Sequence, residues 1–209
     1  MFCKNWCTLR IPIFYCLDFK QRLIPNGVNL PNPNPKKYFP PPWEKEYDKT
    51  KKILLFFGRF HYKKGIFPLL KAWKIFEDRN PNSSWRLVLV GFGDSIKIKE
   101  IILSNKLKHC SIYGPCFGDI KDAVFRNSNA FILPSFSEGT SRATLEALFL
   151  GVPIILRDVE CNYELIVGDS KPIWVLHPTM ESKFPLLLDK LRDDLQKFKK
   201  YNQRKYGKT

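Results

Sequence analysis

The chain has 209 residues, of which 44% are hydrophobic and 26% are charged, a composition typical of an ordinary soluble globular domain. It contains no apolar run of the roughly 18 residues that a membrane-spanning helix requires, and its six cysteines form no C-x-x-C pair, which argues against a zinc site and a disulfide framework. The net charge of +15 favours anionic partners, namely phosphorylated metabolites, anionic lipid surfaces or nucleic acid.

The first 51 residues are predicted to be an irregular segment and a linker. Residues 1–22 show no sustained periodicity, and residues 23–52 are rich in proline and asparagine before they become charged. From residue 52 onward, apolar runs of strand length alternate with segments of helical periodicity. The predicted strands cover 52–58, 85–93, 109–114, 130–135, 152–156 and 172–176. The predicted helices cover 65–79, 94–107, 119–128, 140–150, 162–166 and, in the basic tail, 182–203.

This alternation predicts the fold class. Strands that are apolar throughout and separated by helices form a parallel sheet with both faces covered. We therefore expect an α/β fold, a doubly wound parallel sheet of about six strands, in residues 52–181, followed by a basic C-terminal helix in 182–209. Ligands in such sheets bind beyond the carboxyl ends of the strands, so the residues that follow each strand are the candidates for function.

The predicted strand ends carry glycines and cations. Arg59 and Lys64 follow the first strand, Gly91 follows the second, and Gly139 lies between the fourth strand and the next helix. Backbone N–H groups at a helix start attract anions, and arginine and lysine side chains neutralise them. This edge of the sheet is therefore suited to a pyrophosphate.

Two glutamates, eight residues apart, flank the predicted start of the helix at 140–150. Thr140 or Ser141 is the expected N-cap, so Glu138 lies in the preceding loop and Glu146 lies within the helix. Ionised carboxylates only accept hydrogen bonds, and they match the paired hydroxyl groups of sugars. A nucleotide sugar laid across this helix start would place its phosphates on the N–H groups and its hydroxyl groups on the two acids.

The same residues also have ordinary structural interpretations. Leu145, Leu148 and Phe149 are expected to form the buried face of this helix, an arrangement in which Glu146 is exposed to solvent. Arg59 and Lys64 are also consistent with plain surface charges, since such residues are mostly exposed.

Several stretches, taken in order, resemble one known family. GRFHYKKG (58–65), LVGFG (89–93) and PSFSEGTSRATLEALFLGVPII (134–155) resemble the C-terminal domain of family 4 retaining glycosyltransferases, which have the two-Rossmann-domain GT-B fold. The spacing of Glu138 and Glu146 matches the E-x7-E signature of that family. LIPNGVNL (23–30) resembles the stretch that leads into the domain, so the resemblance covers about residues 23–167.

The resemblance implies a role for each matched residue. Arg59 and Lys64 would bind the donor diphosphate, Glu146 would hold the ribose hydroxyls, and Glu138, the catalytic residue, would contact the transferred sugar. The implied donor-binding residues are Arg59, Lys64, Gly91, Gly139, Thr140, Ser141 and Glu146. The implied donor is a nucleotide sugar such as a UDP- or GDP-sugar. No metal or other cofactor is expected, because cations and a helix dipole can stabilise the leaving diphosphate.

The resemblance also implies what completes the site. Enzymes of that family have an N-terminal Rossmann domain that binds the acceptor, and residues 1–22 are too few to form it. We therefore expect a truncated form, or a chain whose acceptor domain is a separately encoded partner. The expected acceptor is a glycan or a lipid-linked molecule. The alternative function is a nucleotide-sugar-binding module, or pseudoenzyme, without independent activity.

Two other functions are disfavoured, and the composition indicates a location. The aromatic residues lie mostly in core-like runs rather than between basic residues, which disfavours binding of nucleic acid. GFGDSI lacks the third glycine of a dinucleotide-binding fingerprint, which disfavours an oxidoreductase.

The scattered cysteines indicate a location in the cytoplasm. The basic tail predicts contact with the anionic inner face of the membrane.

Overall fold

The computed structural model describes residues 37–48, 50–139, 141–157 and 173–176. Within these ranges strands and helices alternate as the sequence predicts. The strands are β1 (Lys52–Phe60), β2 (Trp85–Gly93), β3 (Cys110–Tyr113), β4 (Ala130–Leu133), β5 (Ile154–Arg157) and β6 (Ile173–Leu176). The helices are α1 (Ile66–Arg79), α2 (Ser95–Ser104), α3 (Gly118–Arg126) and α4 (Arg142–Phe149). The helices predicted at 162–166 and 182–203 lie outside the described residues.

The six described strands join in one parallel sheet in the order β3-β2-β1-β4-β5-β6. This confirms the predicted doubly wound fold. The chain runs from β1 to the β3 edge and then returns to β4, beside β1. Because crossovers between parallel strands are right-handed, α1 and α2 cover one face and α3 and α4 cover the other. Ligands in such sheets bind where the strand order reverses, at the topological switch point between β1 and β4.

The hydrophobic core surrounds the central strands. Residues 54–56 of β1, 87–90 of β2 and 130–132 of β4 are fully buried. The side chains of α1 that face this sheet are those that its helical periodicity predicts, namely Ile66, Leu69, Leu70, Trp73 and Phe76. Pro68 lies in the first turn of α1, where its missing N–H group leaves no helical hydrogen bond unmade. Each large apolar side chain that is fully buried contributes about 1.5–3 kcal/mol to stability.

One buried acid, Glu77, holds the end of α1 against the loop that leads into β3. Trp73 Nε1 donates a hydrogen bond to Glu77 Oε1 at 2.8 Å. The backbone N–H groups of Lys108 and His109 donate to Oε2 and Oε1 at 3.0 and 2.7 Å. Both carboxylate oxygens are paired, and these hydrogen bonds offset the cost of burying the acid.

The described part of the predicted linker, residues 37–48, packs against the sheet. Trp43 is 3% exposed and belongs to the same hydrophobic core as the central strands. Its ring centre lies 6.0 Å from that of Tyr113 on β3, and the Tyr113 hydroxyl donates to Glu46 Oε2 at 2.6 Å. These contacts attach the segment to the β3 edge of the sheet. The proposed domain boundary at residue 51 stays a prediction.

Candidate functional site

The loops after β1 and β4 meet at the topological switch point. Gly65, which follows a 3-10 turn at Tyr62–Lys64, has a φ of +69°, and a Cβ atom there would lie 2.0 Å from the carbonyl oxygen of Pro134. The Phe136 N–H group donates to the carbonyl oxygen of Lys63 at 2.8 Å. Because glycine has no side chain, the two loops pack backbone against backbone at Gly65.

This packing brings together two predicted site residues that are 74 positions apart, Lys64 and Glu138. Lys64 Nζ forms an ion pair with Glu138 Oε1, and the hydroxyl of Ser135 donates to the same oxygen at 2.6 Å. The Glu138 side chain is 10% exposed and the Lys64 side chain is 29% exposed. Two donors on Oε1 orient the carboxylate, whereas Oε2 accepts no hydrogen bond from the described residues.

Arg59 and Lys63 add exposed cations to this edge of the sheet. Arg59 lies at the carboxyl end of β1, in register with Phe92 of β2, and Lys63 lies in the 3-10 turn that follows. Within the described ranges neither side chain forms an ion pair. The structure thus brings Arg59 and Lys64, the two predicted diphosphate ligands, to the same edge, where their charges favour an anionic ligand.

Helix α4 begins at this edge as well. Ser141 is its N-cap, and the Ser141 hydroxyl oxygen accepts a hydrogen bond from the Thr144 N–H group at 3.4 Å. Gly139 is exposed, and a Cβ atom there would have no neighbour within 4 Å. Thr140 lies outside the described residues. The unpaired N–H groups of the first turn and the helix dipole make this end of α4 electropositive.

Glu146 is buried rather than exposed. Its exposed fraction is 5%, and Lys121 Nζ, from the first turn of α3, donates to Glu146 Oε1 at 2.8 Å. The two helices lie on the same face of the sheet, so a lysine stem reaches from one to the other. The interpretation of Glu146 as a solvated helix residue is therefore wrong.

The predicted buried face of α4 is also wrong. Leu145 and Leu148 are only partly buried and Phe149 is 37% exposed. The buried residues of α4 are instead Thr144, Glu146 and Ala147. Apolar residues occupy most positions of RATLEALF, so periodicity alone does not define one face. Packing against the sheet and α3 selects the face that is buried.

Lys121 joins the candidate site residues through its contact with Glu146, and the sequence analysis did not single it out. A signal for it was available, because α3 follows β3 and its first turn must lie at the same edge of the sheet as the other candidates. Asp122, next to Lys121 in α3, has a raised pKa because it is partly buried, and the positive charge of Lys121 opposes that shift.

Gly91 has a structural reason to be glycine. Its φ is +156°, and a Cβ atom there would lie 1.9 Å from the carbonyl oxygen of Gly58, its register partner on β1. The close approach at this position is therefore between two strands. The approach of a nucleotide to Gly91 stays a prediction.

Exposed aromatic side chains lie at the same edge of the sheet as the site. The Arg157 guanidinium, at the end of β5, lies 4.2 Å from the ring centre of Phe136 in a cation–π contact. Tyr62, Phe92 and Phe117, which end or follow three other strands, are each more than half exposed. Exposed apolar groups concentrated at one edge are typical of an interaction surface.

The described residues contain no group of three or more histidine, cysteine, aspartate or glutamate side chains arranged to hold a metal ion. The expectation that no metal takes part stays a prediction. No helix in the described ranges has both the length and the apolar character needed to cross a membrane.

Comparisons with known sequences agree on one family. The family model described as "Glycosyl transferases group 1" matches residues 42–207. An uncharacterized glycosyltransferase of Methanocaldococcus jannaschii is 26% identical over 78% of this chain and 43% of its own length. The lipopolysaccharide core biosynthesis mannosyltransferase LpsB of Rhizobium meliloti is 26% identical over 71% of this chain and 45% of its own length. The chain thus spans less than half the length of these relatives.

Comparisons with solved structures support the fold. The structure of WaaG, a glycosyltransferase involved in lipopolysaccharide biosynthesis, superposes with a TM-score of 0.61 at 15% identity, over 76% of this chain and 44% of that one. The pneumococcal O-GlcNAc transferase GtfA, solved in complex with UDP and GlcNAc, superposes with a TM-score of 0.54 at 17% identity. That match covers 74% of this chain and 30% of GtfA.

Proposed function

This chain belongs to the group 1 glycosyl transferases, and from that membership we propose that it is the donor-binding domain of a family 4 retaining glycosyltransferase. The reaction transfers a hexose from a nucleotide sugar to a glycan or lipid-linked acceptor. The observation that carries the proposal is the Lys64–Glu138 ion pair, which joins the two switch-point loops beside the N-terminus of α4. A relative named for mannosyl transfer and a structural neighbour solved with UDP and GlcNAc support this donor class.

The donor diphosphate binds between the β1 loop and the start of α4. Arg59 and Lys64 supply positive charge, and the backbone N–H groups of Gly139, Thr140 and Ser141, just before α4, supply hydrogen bonds. An ammonium group has three N–H donors. Lys64 is therefore able to keep its contact with Glu138 while it binds a phosphate oxygen.

The two acids bind the two ends of the donor. Glu138 contacts the transferred sugar, because its Oε2 oxygen accepts no hydrogen bond from the described residues. Glu146, on the next turns of α4, accepts hydrogen bonds from the ribose hydroxyls. Gly91, at the end of β2, lies beside the nucleotide. This layout places sugar, pyrophosphate and ribose along the edge of the sheet.

Transfer breaks the bond between the anomeric carbon of the sugar and the diphosphate and forms a bond from that carbon to an acceptor hydroxyl oxygen, which gives up its proton to the leaving diphosphate or to water. The diphosphate leaves with the bonding electron pair, so negative charge develops on the leaving oxygen. The cations of Arg59 and Lys64 and the dipole of α4 stabilise that charge. Fixed groups of this kind are effective because they need little reorganisation when the bond breaks. The proposed reaction accordingly uses no metal and no cofactor besides the donor.

The acceptor binds on the other side of a cleft whose second wall is a separate domain. The exposed rings of Tyr62, Phe92, Phe117 and Phe136 at this edge support contact with such a body. That domain belongs to the same protein or to a separately encoded partner. The net charge of +15 supports an anionic membrane surface as a further partner, with a lipid-linked acceptor.

The test is calorimetric titration of the purified chain with UDP, GDP and a UDP-sugar. We expect the parent to bind a nucleotide, and Lys64→Ala and Glu146→Ala each to weaken binding. Loss of a hydrogen bond to a charged group costs about 1.5–3 kcal/mol, which is about 10- to 150-fold in affinity.

Two variants serve as matched controls. Lys74→Ala removes a lysine that is also ion-paired, with Asp78, but on the outer surface of α1. Glu100→Ala removes an exposed acid of α2. Both controls should bind like the parent. A folded parent that binds no nucleotide, or a Lys64→Ala variant that binds like Lys74→Ala, would overturn the proposed donor site. Donor binding without any transfer in the presence of the acceptor domain would favour the binding-module alternative.

A further inference from the structure

Glu146 is a buried acid, and a buried acidic side chain needs a hydrogen-bonding partner. The residue is 5% exposed, and a buried carboxylate without a compensating donor is strongly disfavoured. Among the described residues the only donor to Glu146 is Lys121 Nζ, at 2.8 Å from Oε1. Among the described residues, Lys121 is therefore the partner that compensates for the burial of this acid.

The contact between Lys121 and Glu146 also orients the acid. The Lys121 side chain is 22% exposed, so its stem is packed while its ammonium reaches Glu146. The lysine holds Oε1 and not Oε2. No described residue donates to Oε2, and this oxygen keeps a small exposure to solvent. One carboxylate oxygen is held by the protein, and the other accepts no hydrogen bond from the described residues.

We propose that Lys121 is a positioning residue that aims the free oxygen of Glu146 at the vicinal hydroxyls of a ribose, and that it thereby makes the site select ribonucleotides over nucleotides without that diol. This inference rests on the proposed function, because it assumes that Glu146 meets the ribose. Lys121 acts through Glu146 and does not itself bind the nucleotide. Lys64 differs in this respect, since its proposed ligand is the diphosphate.

The test compares UDP with 2′,3′-dideoxy-UDP, or GDP with 2′,3′-dideoxy-GDP if GDP is the tighter ligand. The quantity measured is the ratio of the two dissociation constants for each variant. We expect the parent to prefer the ribonucleotide by about tenfold or more, as for loss of a hydrogen bond to a charged acceptor. In Lys121→Met and in Glu146→Gln the preference should fall to within about threefold of unity, because the oriented carboxylate is lost.

Lys64→Met is the matched control within the site. It should weaken the binding of both nucleotides about equally and leave the ribose preference unchanged, because Lys64 is proposed to bind the diphosphate and not the ribose hydroxyls. Lys121→Arg keeps a charged donor beside Glu146 and should retain most of the preference. A purely structural role for Lys121 would lower stability without changing the ratio in folded protein.

A second pair of variants covers the case in which Lys121→Met does not fold. In the Glu146→Gln background the acid is neutral, so removal of Lys121 leaves no unpaired buried charge. Glu146→Gln and Glu146→Gln/Lys121→Met should then bind UDP equally. A further loss of affinity in the double variant would show that Lys121 touches the nucleotide directly, and would overturn the inference.

Failure of this inference is distinguishable from failure of the proposed function. A parent that binds no nucleotide rejects both. A parent that binds UDP, loses binding in Lys64→Ala and keeps its full ribose preference in Lys121→Met rejects the positioning role alone.

Discussion

Replacement of Gly65 by alanine tests the packing on which the whole site depends. Gly65 is the point at which the loop after β1 rests on the backbone of the loop after β4. A Cβ atom there would lie 2.0 Å from the carbonyl oxygen and 2.8 Å from the carbonyl carbon of Pro134, and both are backbone atoms that cannot rotate away. We expect Gly65→Ala to destabilise the protein and to separate Lys64 from Glu138.

The expected loss in the free energy of unfolding of Gly65→Ala has two parts. The φ of +69° is a left-handed conformation, in which an alanine costs about 1–2 kcal/mol. The clash adds a second part, because real Cβ contacts below 3.0 Å are essentially never seen and the loops must move apart. Overpacking of this kind typically costs about 1–3 kcal/mol. The expected loss in the free energy of unfolding is therefore about 2–5 kcal/mol.

Alanine variants of two other glycines separate the conformational cost from the cost of the clash. Gly118 has a φ of +54°, and a Cβ atom there would have no neighbour within 4 Å, so Gly118→Ala carries the conformational cost alone and should lose about 1–2 kcal/mol. Gly139 has neither a left-handed φ nor a close neighbour, so the free energy of unfolding of Gly139→Ala should lie within about 0.5 kcal/mol of that of the parent. The assay is urea denaturation followed by circular dichroism. If Gly65→Ala loses no more stability than Gly118→Ala, the two loops do not pack as described.

Two further predictions concern the rest of the domain. Trp43→Ala should lower the free energy of unfolding by about 3–5 kcal/mol, as for other buried aromatic side chains. The control Lys45→Ala removes an exposed side chain and should change the free energy of unfolding by less than about 0.5 kcal/mol. Equal urea midpoints for these two variants would show that residues 43–46 are not part of the folded unit. Burial raises the pKa of the Cys110 thiol, so Cys110 should resist iodoacetamide at pH 8 in the native protein and react in urea, as measured by mass spectrometry. The unfolded thiol ionises above about pH 8.5 while the native thiol stays neutral, so this group makes the free energy of unfolding fall as pH rises through that value. Cys110→Ala should reduce this fall. If the variant and the parent had the same profile of stability against pH, the raised pKa would be contradicted.

Much of the fold is predictable from local pattern. The apolar runs of β1, β2 and β4 and the helical spacing of Ile66, Leu69 and Leu70 in α1 are contained within windows of a few residues. An N-cap at Thr140 or Ser141 follows from the chemistry of a hydroxyl before a helical run, and the structure shows that Ser141 is the cap. Predictions of this kind succeed because each depends on residues that are neighbours in the chain.

The candidate site is only partly predictable in the same way. Strand-end cations and the two acids of E-x7-E can be read from the sequence, since parallel strands bring their carboxyl ends to one edge. The buried face of α4 cannot, because leucine, alanine and phenylalanine occupy several sides of this short helix. The place of Lys121 at this edge is predictable, because α3 follows β3. Its contact with Glu146 is not predictable, because nothing local to α3 indicates that its first turn faces an acid on another helix.

The order of residues along the chain is enough to specify the alternation of strands and helices, the parallel doubly wound class and the set of charged residues at one edge. These follow from hydrophobic periodicity and from the handedness of parallel crossovers. Three contacts are visible only in the folded molecule: Lys64 meets Glu138, Lys121 meets Glu146, and Gly65 rests on Pro134. Those contacts join residues far apart in the chain, and they exist because the strand order puts β1 beside β4 and right-handed crossovers put α3 and α4 on one face.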